Sequence, residues 1–166
     1  MLYTNIMHID KTTLGYIQKD DSFLMLFRNK KENDINKGKW VGVGGHIEAN
    51  EDKDTCIIRE VKEETGLDVI NYQYRGELLF VSDGYYEIMH LYLINKTKGE
   101  LIKCNEGELK WIKKKDLLSL NMWEGDKVFL PLLIDTDQFI KLKLIYSNNK
   151  LIEVGEWDGI IPIANL

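Results

Sequence analysis

Gly45-His46-Ile47-Glu48-Ala49-Asn50-Glu51-Asp52-Lys53-Asp54-Thr55-Cys56-Ile57-Ile58-Arg59-Glu60-Val61-Lys62-Glu63-Glu64-Thr65-Gly66-Leu67 is the stretch on which the reading of this chain turns. Ile57, Ile58, Val61 and Leu67 recur at helical spacing, which predicts a helix over Glu51–Thr65. Gly66 stands where a helix stops. On that helix Glu60, Glu63 and Glu64 lie three and four residues apart and project from one face. Three carboxylates packed together repel one another unless a cation intervenes, and Arg59 alone cannot neutralise them. A divalent hard cation such as Mg2+ suits oxygen-only ligands of this kind. The same run also suits a solvated face braced by i,i+4 Glu–Lys pairs. The glycines upstream, Gly42, Gly44 and Gly45, permit close backbone approach to a ligand, and a carbonyl among them could complete a metal shell.

The charge of the whole chain points to the same stretch. The 166 residues carry 22 Lys+Arg and 27 Asp+Glu, a net charge of −5. From Gly44 to Asp68 there are eight acids and three bases, so the rest of the chain balances to zero. This acidity argues against binding a nucleic-acid polymer. It leaves room for a small anionic substrate whose charge a metal ion balances. At 44% hydrophobic and 30% charged, the composition is that of a soluble globular protein,. The expected organisation is one domain over residues 1–166, with 1–11 and 160–166 peripheral. No apolar run of ~18 residues marks a membrane span. No signal peptide opens the chain, which leads to a cytoplasmic expectation. Cys56 and Cys104 make neither a disulfide framework nor a cysteine zinc site. Cys56 is expected in the core.

Outward from the helix, strands are expected at Thr13–Gln18 and Ser22–Arg28 around the turn Lys19-Asp20-Asp21, with an edge strand over Leu2–Ile9. Lys30–Lys39 reads as a loop and Trp40–Gly45 as a short glycine-rich segment. Tyr72–Val81 and Tyr85–Asn95 form a hairpin about Ser82-Asp83-Gly84. Leu109–Ile112 is a strand and Lys114–Leu120 a helical turn. Gly125–Ile134 is a helix in spite of Pro131. Phe139–Tyr146 and Lys150–Trp157 close the chain as a hairpin around Asn148-Asn149. Helices dispersed among more numerous strands give an α+β class with helices packed on a mixed sheet.

Nine fixed or class-restricted positions within Gly45–Leu67 resemble the Nudix hydrolase box: Gly45, Glu51, Arg59-Glu60, the aliphatic Val61, Glu63-Glu64, Gly66 and the aliphatic Leu67. The resemblance implies a Nudix fold, an α/β/α sandwich with a mixed β-sheet. It also implies Mg2+-dependent hydrolysis of a nucleoside diphosphate linked to another group, with Mn2+ as the other possible ion. Carried over by position, the metal ligands are Glu60, Glu63, Glu64 and the carbonyl of Gly44. Arg59 and Glu51 form a structural pair that orients the helix. Mg2+ neutralises and aligns a polyphosphate and lowers the pKa of a bound water. Glu60 or Glu63 accepts the water proton. Glu106, with Glu108 as the competing choice, is a further ligand or base outside the box.

Within that family, Arg28-Asn29-Lys30-Lys31, Gly38-Lys39-Trp40, Gly42-Val43-Gly44-Gly45 and Asn121-Met122-Trp123-Glu124-Gly125-Asp126 resemble the MutT/MutX-type 8-oxo-dGTP diphosphatases. The likeness runs over about residues 12 to 157. It implies that Trp123 stacks on a purine and that Asp126 bonds its edge, while Arg28 and Lys39 help hold phosphates. Gly125 stands where the animal enzymes of the group have an acid, and Val41 where they have an asparagine. For Trp123 a core anchor is the competing role. Trp40 is expected in the core, and His46 and His90 are isolated. The implied activity is conversion of an oxidised purine nucleoside triphosphate, such as 8-oxo-dGTP, to monophosphate and pyrophosphate. The alternatives are hydrolysis of ADP-ribose, a nucleotide sugar or a dinucleoside polyphosphate, or a non-catalytic nucleotide-binding module. The expected partner is a small-molecule nucleotide, and the oligomeric state is open.

Overall fold

The structure, a computed structural model, describes residues 8–162. Its strands are β1 (Ile9–Lys19), β2 (Ser22–Arg28), β3 (Trp40–Val41), β4 (Asp68–Ser82), β5 (Tyr85–Lys98), β6 (Gly107–Lys113), β7 (Ile140–Ser147) and β8 (Lys150–Glu156). Two α-helices, α1 (Lys53–Thr65) and α2 (Asp126–Asp135), and a 3-10 helix at Lys114–Ser119 complete the elements. The strands make one mixed sheet in the order β3-β2-β1-β5-β4-β7-β8, with β6 paired to β2. β1 runs parallel to β5 and β4 parallel to β7; the remaining pairs are antiparallel.

Period-2 alternation sends neighbouring side chains to opposite faces of the sheet. Tyr16, Phe23, Met25 and Leu91 join Phe129, Leu130 and Leu133 of α2 in one core. Their neighbours Ile17, Leu24, Tyr92 and Ile94 join Ile57 and Val61 of α1 in the other. Helix, sheet and helix therefore form the sandwich expected from the sequence. Cys56 is fully buried, and Trp40 is half-buried against Phe27.

The boundaries differ from the expected ones in instructive ways. α1 begins at Lys53, not Glu51, because Asp52 caps it: its side chain accepts from the Thr55 amide at 2.7 Å,. Gly66 ends it in left-handed backbone, φ 80°, with its N–H on the Lys62 carbonyl. The β4–β5 hairpin is longer than expected at both ends, and of Trp40–Gly45 only Trp40–Val41 is strand. Val43 and His46 make only isolated bridges to Gly15 and Thr12 of β1. Asn148 and Asn149, at φ 49° and 63°, make the two-residue turn between β7 and β8,. Residues 2–7 of the expected edge strand and 163–166 of the expected peripheral end lie outside the described residues.

Arg75 of β4 clasps the segment that joins α2 to β7. It is 5% exposed. Its Nη1 donates to the Leu133 carbonyl at 2.9 Å, and its Nη2 donates to Thr136 at 2.7 Å and Gln138 at 3.0 Å. These acceptors close the C-terminus of α2 and lead into β7.

Candidate active site

A cleft of about 600 Å³ opens across one face of the sheet. One end is lined by Gly44, Gly45, Glu60, Glu64 and Glu106, the other by Phe80, Met89, Trp123, Asp126, Leu144 and Tyr146.

The carboxylate end is built by the glycine loop and α1, with Glu106 brought in from the segment before β6. Arg59 grips Glu51 in a bidentate pair, Nε to Oε2 at 2.7 Å and Nη2 to Oε1 at 2.9 Å. Its Nη1 reaches Glu60 at 2.9 Å and Glu63 at 3.1 Å, and its Nη2 reaches the His46 carbonyl at 3.2 Å. One guanidinium thus fastens the loop before α1 to the exposed side of that helix. The arginine's hydrogen bond, followed by the Glu48 amide and the arginine's charge, holds Glu51 down at about 2. The glycines follow from the same closeness. A Cβ on Gly45 would lie 2.5 Å from Oε1 of Glu60, and one on Gly44 would collide with the Thr13 carbonyl. The Gly44 amide donates to Oε2 of Glu64 at 3.2 Å.

Negative charge is in excess here. Burial raises the pKa of Glu60 and, more strongly, that of Glu64, where the neighbouring Glu106 and Glu60 add to the effect. Burial also works against ionising Glu106, but its hydrogen bond with Glu64, Arg28 and Lys31 hold it low. The two carboxylates thus oppose each other, with Glu64 pushed up and Glu106 held down by its cationic neighbours. Among the described residues no three His, Cys, Asp or Glu side chains form a ready-made coordination cluster. Glu60 and Glu63 are turned to Arg59 and Glu106 to Arg28 and Lys31. The donor set is nonetheless one that a hard divalent cation fits: desolvated carboxylate oxygens, mutually repelling and short of positive charge.

The aromatic end is assembled from four separate elements. Trp123, ahead of α2, packs edge-on against Tyr146 of β7 (5.6 Å between centroids) and Phe80 of β4 (6.5 Å). Its indole N–H donates to Asn36 in the 30–39 loop at 2.7 Å. Lys39 sits over the indole ring, 4.7 Å from its centroid. Tyr146 accepts from the Gly125 amide at 2.7 Å, which fixes the start of α2. Asp126 follows on the cleft wall, where desolvation, opposed by Lys39, lifts its pKa to about 7.

The structure brings most of the candidate residues to the cleft. Gly44, Gly45, Glu60, Glu64, Glu106, Trp123, Asp126 and Arg28 line it. Glu63 does not, and its side chain is 58% exposed. Neither Glu51, which Arg59 holds, nor Gly66, which ends α1 against Ile102, lines the cleft. Glu106 is in the cleft, whereas Glu108 is exposed on β6. Arg28 is paired with Asp34 at 2.6 Å and Glu106 at 2.7 Å, and Lys39 rests over the Trp123 indole. His90 bonds the Tyr74 hydroxyl, and His46 lies at the rim near Asp10. Sequence reasoning missed Asn36, Phe80, Met89 and Tyr146. Phe80 and Tyr146 sit on alternating strand positions that look like any core residue, and nothing local marks Asn36.

Three comparisons set this geometry beside known proteins. A family model described as NUDIX domain matches residues 11–133. The uncharacterized Nudix hydrolase YvcI of Bacillus subtilis (strain 168) is 29% identical over 133 residues, 76% of this chain and 80% of its own length. The oxidized purine nucleoside triphosphate hydrolase of Danio rerio is 26% identical over 125 residues, 74% of this chain and 80% of its own. In structure, the MutT protein of Bacillus halodurans superposes with a TM-score of 0.80 at 27% identity. The match covers 88% of this chain and 96% of that one.

Proposed function

Because this chain belongs to the Nudix hydrolase family, we propose that it hydrolyses an oxidised purine nucleoside triphosphate such as 8-oxo-dGTP to the monophosphate and pyrophosphate. The observation that carries this reading is the pairing, in one cleft, of a carboxylate end with an aromatic end walled by Trp123 and Asp126. A triphosphate needs the first and a purine the second. The likeness to an oxidized purine nucleoside triphosphate hydrolase and to a MutT protein supports it.

Glu60, Glu63, Glu64 and Glu106, with the Gly44 carbonyl, would hold a divalent cation, Mg2+ or Mn2+. Such an ion neutralises the phosphates and acidifies a bound water. The protein's own groups do the rest. Arg59 and Glu51 hold α1 in register with the glycine loop. Glu60 faces the cleft, and we assign it to accept the water proton. Trp123 stacks on the base. Asp126, poised near neutrality, both donates to and accepts from the purine edge when protonated, and only accepts when ionised.

The test is a panel of 8-oxo-dGTP, 2-hydroxy-dATP, dGTP, dATP, ADP-ribose and a nucleotide sugar, with Mg2+ and with chelator, products separated by chromatography. The expected result is metal-dependent release of 8-oxo-dGMP and pyrophosphate, fastest on the oxidised purines. Equal rates on oxidised and ordinary nucleotides, or preference for ADP-ribose or the sugar, would sink the substrate assignment. Binding without turnover would make the chain a nucleotide-binding module.

A further inference from the structure

A nucleotide with its base among Trp123, Phe80 and Tyr146 and its phosphates beside Gly44 and Glu60 has to cross the strip of sheet between them. The strand order defines that strip. β7 and β4 carry the aromatic residues, and β5 and β1 come next. The glycine loop lies beyond, bridged to β1 at Gly15↔Val43 and Thr12↔His46. The sugar is the part of the nucleotide that crosses it.

On this strip stands Glu87 of β5. Its Cα partner on one side is Phe80, on the other Asp10. Its carboxylate lines a floor otherwise apolar at Phe80, Met89 and Leu144. Oε2 accepts from the Thr12 hydroxyl at 3.1 Å, while the Tyr85 hydroxyl, with one proton to give, lies between Oε1 of Glu87 at 2.8 Å and Oδ2 of Asp10 at 2.7 Å; among the described residues no Lys, Arg or His pairs with Glu87,. A carboxylate offers about four lone-pair positions. At most two are used, so acceptor capacity faces the cleft on a carboxylate without a cationic partner among the described residues.

We propose that Glu87 is a specificity-determining residue that accepts a hydrogen bond from the 3′-hydroxyl of the bound nucleotide and excludes nucleotides phosphorylated at that position. The proposal rests on the nucleotide reading above. In a 2′-deoxynucleotide the 3′-hydroxyl is the one sugar hydroxyl free to meet this carboxylate. A missing hydroxyl leaves the acceptor unpaired in a partly desolvated site. A phosphate in its place sets two anions side by side.

The test measures binding by titration calorimetry of three probes: 8-oxo-dGMP, its 3′-deoxy counterpart and its 3′-phosphorylated counterpart. The wild-type chain is expected to bind the 3′-deoxy compound roughly 10-fold more weakly than 8-oxo-dGMP, and the 3′-phosphorylated compound roughly 100-fold more weakly. Glu87→Ala should bring both ratios close to one. Glu87→Gln keeps an acceptor and removes the charge, so it should retain most of the first ratio and lose most of the second. Ratios unmoved by Glu87→Ala in a chain that still binds 8-oxo-dGMP overturn this proposal alone. A wild-type chain that binds none of the three overturns the nucleotide reading and this proposal with it.

Discussion

The two ends of the cleft are held together by different physics. At the carboxylate end most parts, Gly44, Gly45, Arg59 and the glutamates of α1, come from one continuous stretch, joined by Glu106 with its partner Arg28, and are fixed by short charge-assisted hydrogen bonds,. At the aromatic end Asn36, Phe80, Trp123 and Tyr146 come from four distant parts of the chain and meet through ring packing and single hydrogen bonds. The first arrangement leaves no room beside its backbone, since a methyl on Gly44 would strike the Thr13 carbonyl. The second trades one apolar contact for another more readily.

The sharpest break between the ends concerns rate. Glu64→Gln and Glu63→Gln are each expected to lower kcat by about 100-fold or more while the circular-dichroism spectrum and melting temperature stay near wild type. Chelator should abolish turnover and added Mg2+ restore it. A near-wild-type rate in Glu63→Gln would leave that residue outside the ion's ligands, on the exposed rim where its side chain stands. Trp123→Ala should act in the opposite sense, raising KM roughly 10- to 100-fold, in line with ~1–3 kcal/mol per stacked base, while kcat moves only a few-fold. A fall in kcat as large as that of Glu64→Gln would erase the division of labour.

Acidity separates the ends more gently. Desolvation raises the Asp126 pKa to about 7 in the folded chain against 3.8 as its ordinary value. The native state then binds this proton more tightly than the unfolded state does. The stability Asp126 confers is full below pH 4 and lost as pH rises through 7. Chemical denaturation at pH 5 and pH 8 should show that decline, and Asp126→Asn should flatten it. The same substitution should remove the component of 1/KM that titrates near pH 7. A slope unchanged in Asp126→Asn would mean that another group carries it.

How much of this was legible beforehand depends on sequence separation. The carboxylate end was readable because its members recur at fixed spacing, and a helix converts that spacing into a face. The fold followed, since α1 and the alternating strands each declared their apolar sides. The helix start was misplaced by two residues because Asp52, the cap, hides in an acidic run. At the other end, Trp123 and Asp126 could be picked out by their setting. Phe80, Met89 and Tyr146 could not, because only the pairing of β4 with β5 and β7 turns them toward one cleft. Nor could sequence show that Arg28 and Lys39 are already engaged, since that requires knowing where Asp34, Glu106 and the indole fall.

The Arg75 clasp makes acid unfolding asymmetric. Its acceptors are backbone carbonyls, which do not titrate in the acid range, so the guanidinium keeps its grip at any low pH. The Arg59–Glu51 pair has no such immunity. Its contribution is full above the ordinary Glu value of 4.5 and is lost as pH falls through about 2,. As acid rises, the loop in front of α1 should come loose while the tail of α2 stays docked, so amide exchange at pH 2 should reach α1 before α2.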